Sequence, residues 1–233
     1  MFHPVGQPME RGWLGRIEGA LVVHLAAQTI PSFLTGGGAT REHAEYPLHH
    51  VVLLPPLLQP PAVRIFEDER TFAFANPAAI VGPGASIAPP GEALPGRERR
   101  GPLRVRPRLA AVIGQGSEIA GFTILCEWRA PGLRSPKDRD FALGLGPVVV
   151  TSDELGRAAL AARVTIDGAQ RLAGGFDAFD WEAARAWAAA GTTLRAGDLL
   201  AGPALGEVAV PAGSEVGIDV SGVGLLVQRA AEA

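Results

Sequence analysis

Glycine and proline punctuation limits what this chain can become. Its 233 residues include 30 glycines and 20 prolines, spread so that apolar stretches are interrupted before they grow long. Proline has no N–H and restricts the residue ahead of it, while glycine supplies the backbone angles of tight turns, so the pattern predicts short strands joined by turns. Strand candidates are Thr71 to Ala75, Leu103 to Ile113, Ile119 to Trp128, Phe141 to Val150, Ala161 to Ile166 and Ser214 to Val227, each apolar or alternating. Breaks such as Val81-Gly82-Pro83-Gly84 and Ile113-Gly114-Gln115-Gly116 separate them. One clear helix is expected, from Asp180 to Ala190, with Asp180 as N-cap and Gly191 just past its end. Trp181, Ala184, Trp187 and Ala188 would pack it on the core. The expected class is mainly β.

Ahead of the core, Trp13 to about Leu54 reads as a small strand-rich lobe, with Ala20 to Leu25 a strand and Thr35-Gly36-Gly37-Gly38-Ala39 a flexible break. The run Leu54-Pro55-Pro56-Leu57-Leu58-Gln59-Pro60-Pro61 can be neither helix nor central strand and reads as a linker. The expected division is 1–59, a small N-terminal lobe with its proline-rich linker, and 60–233, a single core.

Several function classes are disfavoured. A net charge of −3, with 21 basic residues that form no stripe interleaved with aromatics, argues against nucleic acid. The single cysteine, Cys126, allows no intrachain disulfide and no multi-cysteine zinc site, which points to a reducing cytoplasm. The five histidines show no metal-ligand spacing. The segment MFHPVGQPMERGW lacks a signal core, and no apolar run could span a bilayer, so no membrane association is expected.

Six segments carry more information. They are Asn76-Pro77-Ala78-Ala79-Ile80-Val81-Gly82-Pro83-Gly84, Leu109-Ala110-Ala111-Val112-Ile113-Gly114, Ile119-Ala120-Gly121-Phe122-Thr123-Ile124, Lys137-Asp138-Arg139-Asp140-Phe141-Ala142, Leu145-Gly146-Pro147-Val148-Val149-Val150-Thr151, and Gly191-Thr192-Thr193-Leu194-Arg195-Ala196-Gly197-Asp198. In type and order this series resembles the fumarylacetoacetate hydrolase superfamily, from about residue 53 to 229. The resemblance implies a mixed β-roll core with a short N-terminal lobe, assembled as a homodimer. The stretches between Phe66 and Asn76 and between Gly114 and Ile119 are shorter than the family's, which implies a more open pocket.

The resemblance also implies what has changed. In the family, four carboxylates hold a hard divalent cation that chelates two oxygens of a 1,3-dicarbonyl or 2-oxo acid substrate. Two of them form a Glu-x-Glu pair just before the Leu-Ala-x-Val-Ile-Gly strand, and those positions here are Arg106 and Arg108. A guanidinium group is permanently charged and has no lone pair for a metal, so no metal is expected there. The third ligand position carries Glu127, two residues before Arg129. In the best match for the fourth, Ala62-Val63-Arg64-Ile65-Phe66-Glu67-Asp68-Glu69, the ligand becomes Ala62 and Glu69 stands where the family has a water-activating histidine. Lys137 stands where the family has a lysine that polarises substrate.

Taken without the resemblance, the same residues have plainer readings. Lys137 is a solvated loop lysine, Arg106 and Arg108 are surface charges on an edge strand marked by Pro107, Glu67 to Arg70 is a solvated turn, and Cys126 is a buried apolar filler.

Two functions follow as expectations. The first is a metal-independent enzyme without cofactor, acting on an enolisable dicarbonyl or other anionic small molecule by hydrolysis, decarboxylation, isomerisation or cyclisation. Its catalytic residues would be Lys137, Glu127 and Glu69, and its substrate donors Arg106, Arg108 and Arg129. The second is a non-catalytic binding or scaffold homologue, in which Glu127 and Glu69 neutralise the arginines in a closed network. An enzyme would keep a concave site where Lys137, Arg106 or Arg108 and Glu127 converge.

Overall fold

The computed structural model describes residues 1–90, 101–156 and 160–232. The N-terminal part holds β1 (Phe2–Pro4), β2 (Gly15–Glu18), β3 (Leu21–Leu25), α1 (Ile30–Thr35), β4 (Glu42–Pro47) and β5 (Val51–Leu53). Strands β2, β3 and β4 form an antiparallel sheet, and β1 pairs with β5. Residues 54–62 carry no strand or helix.

The rest is built from β6 (Val63–Asp68), β7 (Thr71–Ala75), β8 (Ile80–Val81), β9 (Ser86–Ile87), β10 (Leu103–Ile113), β11 (Ile119–Arg129), β12 (Leu143–Thr151), α2 (Ser152–Leu155), β13 (Ala161–Ile166), β14 (Ala169–Gly175), α3 (Trp181–Ala189), β15 (Leu199–Ala201), β16 (Val208–Val210), β17 (Glu215–Val220) and β18 (Gly224–Ala230). An eight-stranded sheet runs β7-β6-β15-β10-β11-β12-β8, with β16 also on β10, and a five-stranded sheet runs β14-β13-β17-β18-β9. The class is mainly β, as the punctuation implied.

Leu109, Ile124 and Trp128 from the larger sheet meet Val164, Ile218 and Leu226 from the smaller one in a common apolar core. Alternation along β13, with every second residue buried, reflects one wet and one dry face. The buried Trp128 indole donates to Gln228 Oε1 at 2.8 Å, and the Gln228 amide donates to Gly82 O at 3.0 Å. A Cβ at Gly144 would come within 2.1 Å of the Gln228 amide, so a side chain there would have to move Gln228 from its bonds to Trp128 and Gly82.

Helix α3 buries Ala184 and Ala188 against Phe66, Ala111, Ile113 and Leu200. Asp180 caps it, accepting from Ala183 N at 2.9 Å. Trp187 is 48% exposed and does not pack as expected. At ~100° per residue it lies roughly 80° round from the centre of the Ala184–Ala188 stripe, at the solvent margin. Trp181 does pack, edge-on to Phe122 and Phe179.

Two further expectations are corrected. The stretch from Ser214 to Val227 is not one strand but the hairpin β17–β18, turned at residues 221–223 where Gly222 has φ 78°. Strand β10 is interior rather than an edge, flanked by β11 on one side and by β15 and β16 on the other. Pro107 is tolerated because β15 pairs with residues 110–112 and β16 with residues 103–105, leaving a gap opposite the missing N–H. Its carbonyl is satisfied there by Leu205 N at 2.9 Å.

Removing the α3 cap by Asp180→Ala should cost about 1 kcal/mol, whereas Trp187→Ala should change stability by no more than about 0.5 kcal/mol. Urea unfolding of the two variants checks both values.

Candidate functional site

Alternation on β10 sends Arg104, Arg106 and Arg108 to one face. Their side chains run from solvent to core at 50%, 21% and 0% exposure. Antiparallel pairing with β11 sets Arg106 opposite Glu127, Arg104 opposite Arg129 and Arg108 opposite Leu125, so Glu127 and Arg129 share the arginine face. Beyond Arg108 the same face becomes apolar with Ala110 and Val112.

Arg108 is fully enclosed. Its Nε donates to Glu127 Oε2 at 3.1 Å, Nη1 donates to the carbonyls of Phe66 and Gly202, both at 2.9 Å, and Nη2 donates to Glu67 Oε1 at 2.8 Å. Nη2 also lies 3.0 Å from Glu127 Oε2. A guanidinium group carries five N–H bonds, and these partners surround it on every side. Arg106 grips Glu67 end-on through both terminal nitrogens, at 3.2 and 3.1 Å. Arg129 takes the other oxygen of Glu127 at 2.8 Å and reaches Asp138 at 3.3 Å, while Arg139 meets Asp138 at 3.2 Å. Among the described residues, four guanidinium groups therefore share three carboxylates, with Arg106 and Arg129 partly exposed at the rim.

The structure thus brings together Arg106, Arg108, Arg129 and Glu127, and leaves two expected residues out. Lys137 is 58% exposed and pairs with Asp140 at 2.8 Å. Glu69 accepts a long 3.4 Å bond from Asp180 N, at the start of α3. The second carboxylate of the cluster is Glu67, which sequence matching passed over in favour of Glu69. A register shift between Phe66 and Asp68 on β6 breaks the alternation that would have indicated which acid faces the arginines. The readable signal was the charge count, since two arginines on one buried face require more than Glu127 alone.

The cluster shapes the titration of Glu67. Burial pushes its carboxyl up, but hydrogen bonds from Arg108 and then Arg106 outweigh burial and hold it below the ordinary value of 4.5. Neighbouring Cys126 is fully buried, and burial followed by the Glu127 charge pushes its thiol up, which suits an inert filler.

Beside the cluster, beyond the end of β15, lies a cavity of about 280 Å³. Its wall includes Glu67, Glu69, Phe176, Phe179, Trp181 and Leu205, and none of its lining residues is basic. The concave site expected where Lys137, Arg106 or Arg108 and Glu127 converge is therefore not this cavity. The arginines face their own carboxylates.

The donor set does not fit a divalent cation. Glu67 and Glu127, the acidic groups nearest β10 and β11 on this face, are already bound by guanidinium groups that would repel one. Among the described residues, no group of three or more His, Cys, Asp or Glu could hold a metal, and no helix is long and apolar enough to cross a membrane.

Residues 58–231 match the family model described as fumarylacetoacetate (FAA) hydrolase, C-terminal. Among solved structures, maleylpyruvate hydrolase from Sphingobium sp. SYK-6 is similar at 22% identity and TM-score 0.78, over 96% of this chain and 98% of that one. Fumarylacetoacetate hydrolase from Exiguobacterium antarcticum is similar at 19% identity and TM-score 0.78, over 100% and 98%. A 5-carboxymethyl-2-hydroxymuconate delta-isomerase from Mycobacterium smegmatis is similar at 23% identity and TM-score 0.74, over 95% and 94%. At these identities the likeness is one of fold. No curated protein matches the chain in sequence.

Breaking the buried cluster by Arg108→Ala should cost about 3–5 kcal/mol, because it removes the one fully buried guanidinium and leaves Glu127 with only the more exposed Arg129 and Arg106. Arg104→Ala, at the exposed end of the row, should cost no more than about 1 kcal/mol. Glu67 contributes stability above its ordinary value of 4.5 that is lost as pH falls through the depressed one. Acid unfolding should accordingly be shallower in Glu67→Gln than in the parent, as followed by circular dichroism.

Proposed function

The chain belongs to the fumarylacetoacetate hydrolase family, and on that premise we propose that it is a small-molecule enzyme that engages an acid substrate through arginine rather than through a divalent cation. The partial exposure of two guanidinium groups at the cluster rim carries this reading. Arg106 and Arg129, 21% and 18% exposed, would hold the substrate carboxylate and stabilise an enolate as it develops. Arg108 and Glu127 are framework, since they are buried and turned toward one another.

Glu67 borders both the cluster and the cavity, with half its side chain exposed, and is the carboxylate placed to move a proton. It is ionised at neutral pH, the form a base requires, and the arginine bonds that lower its pKa make it a weaker base than a free carboxylate. The compatible reactions are hydrolysis, decarboxylation, isomerisation or cyclisation of an enolisable acid. Lys137, solvated and paired with Asp140, has no part in this reading.

The closed geometry around Arg108 favours a second reading, a binding or scaffold homologue that keeps the fold and has no chemistry. The two separate on one experiment. With a chelator present throughout, a panel of 2-oxo and 1,3-dicarbonyl acids should contain at least one that binds or turns over, and Arg129→Ala should weaken that by about tenfold or more. Activity abolished by the chelator would overturn the arginine reading. Absence of binding across the panel would leave the scaffold.

A further inference from the structure

The cavity beside the cluster does not belong to the arginines. About 280 Å³ is near the lower end of the range for small-molecule pockets, roughly 300–1,000 Å³. Three aromatic rings form its apolar wall: Phe176, Phe179 and Trp181. Phe179 and Trp181 stand at 84° to one another with centroids 4.8 Å apart. Trp181 is fixed further by Phe122 at 5.2 Å. Trp181 also overhangs Gly202, where a Cβ would lie 2.9 Å from its ring. This wall is therefore set by packing before any ligand arrives.

Charge decides what such a wall accepts. The charged residues lining the cavity are Glu67, Asp68 and Glu69. Glu67 is matched by Arg106 and Arg108. Asp68 accepts a bond from Arg70 N at 2.9 Å and is held ionised by that bond, by Thr71 and by the Arg70 charge without a salt bridge to it, and Glu69 has the 3.4 Å contact with Asp180 N. A ligand carboxylate here would meet carboxylates with no basic side chain to receive it. A ligand ammonium would meet aromatic faces, whose quadrupole attracts cations, and two carboxylates not committed to an arginine.

We infer that this cavity is a binding site for an organic cation with a flat apolar body, of the arylalkylammonium class. The site is distinct from the arginine rim proposed to take an acid, and it stands whether or not the protein is catalytic.

The test uses the full chain and three probes of one shape: benzylammonium, benzyl alcohol and benzoate. Isothermal titration, with Trp181 followed by indole NMR signals, should show benzylammonium binding most tightly and benzoate not binding at the cavity. Glu69→Gln should weaken benzylammonium by about fivefold, and so should raised salt, whereas Arg129→Ala should leave it unchanged. Asp68→Asn is the second charge variant should Glu69→Gln fail to fold, and it should weaken binding in the same direction. Equal binding of benzoate and benzylammonium, or no response at Trp181 to benzylammonium at millimolar concentration, would overturn the inference. Absence of any acid binding by the parent protein, with ammonium binding intact, would count against the proposed enzyme alone.

Discussion

The buried guanidinium of Arg108 is the constraint around which the larger sheet is arranged. Taking a charge out of water costs several kcal/mol unless its partners replace the lost hydration, and here they come from three separate segments. Glu127 arrives from β11, Glu67 and the Phe66 carbonyl from β6, and the Gly202 carbonyl from just past β15. Each of those strands is thereby held to β10 by a side chain as well as by its ladder. Glu67 and Glu127 need the arginines as much as the reverse, since either carboxylate left without them would be a partly or wholly buried charge.

The geometry suits arginine specifically. A planar fork with five donors can satisfy two carboxylates and two carbonyls at once, which an ammonium on a flexible stem could not. The gradient from Arg104 through Arg106 to Arg108 grades the electrostatics along one strand face, from screened surface charge to dry ion pair. The place where the resemblance implies a cation is thus filled by fixed positive charge with its own counter-ions. Two of the arginines, Arg106 and Arg129, stay partly exposed at the rim, which supports the reading of acid binding without metal.

Much of the fold was legible because glycine and proline mark strand ends by local chemistry. The β10 and β11 candidates, the helix capped by Asp180 and the mainly β class all rest on such signals. What failed depended on neighbours distant in sequence. Pro107 suggested an edge because the gap between β15 and β16 lies in the tertiary arrangement and not in the local sequence. Trp187 was assigned to the core by apolar character alone, whereas the helix buries its small residues closest to Phe66. At the site, strand pairing made the company of Arg106, Arg108 and Glu127 readable. The bulge on β6 concealed Glu67, and the loop holding Lys137 carried it away from the cluster.

The account rests on the mutual dependence of Arg108 and Glu127, and a double-mutant cycle with Arg108→Met and Glu127→Leu measures it directly. Each single change leaves the surviving buried charge short of a counter-ion, Glu127 with only Arg129 and Arg106 and Arg108 with only Glu67, and should cost about 3–5 kcal/mol, whereas the double change removes both charges and should cost far less than the two together. Costs that add to within about 0.5 kcal/mol would contradict the account, since the two side chains would then not be acting as one buried ion pair.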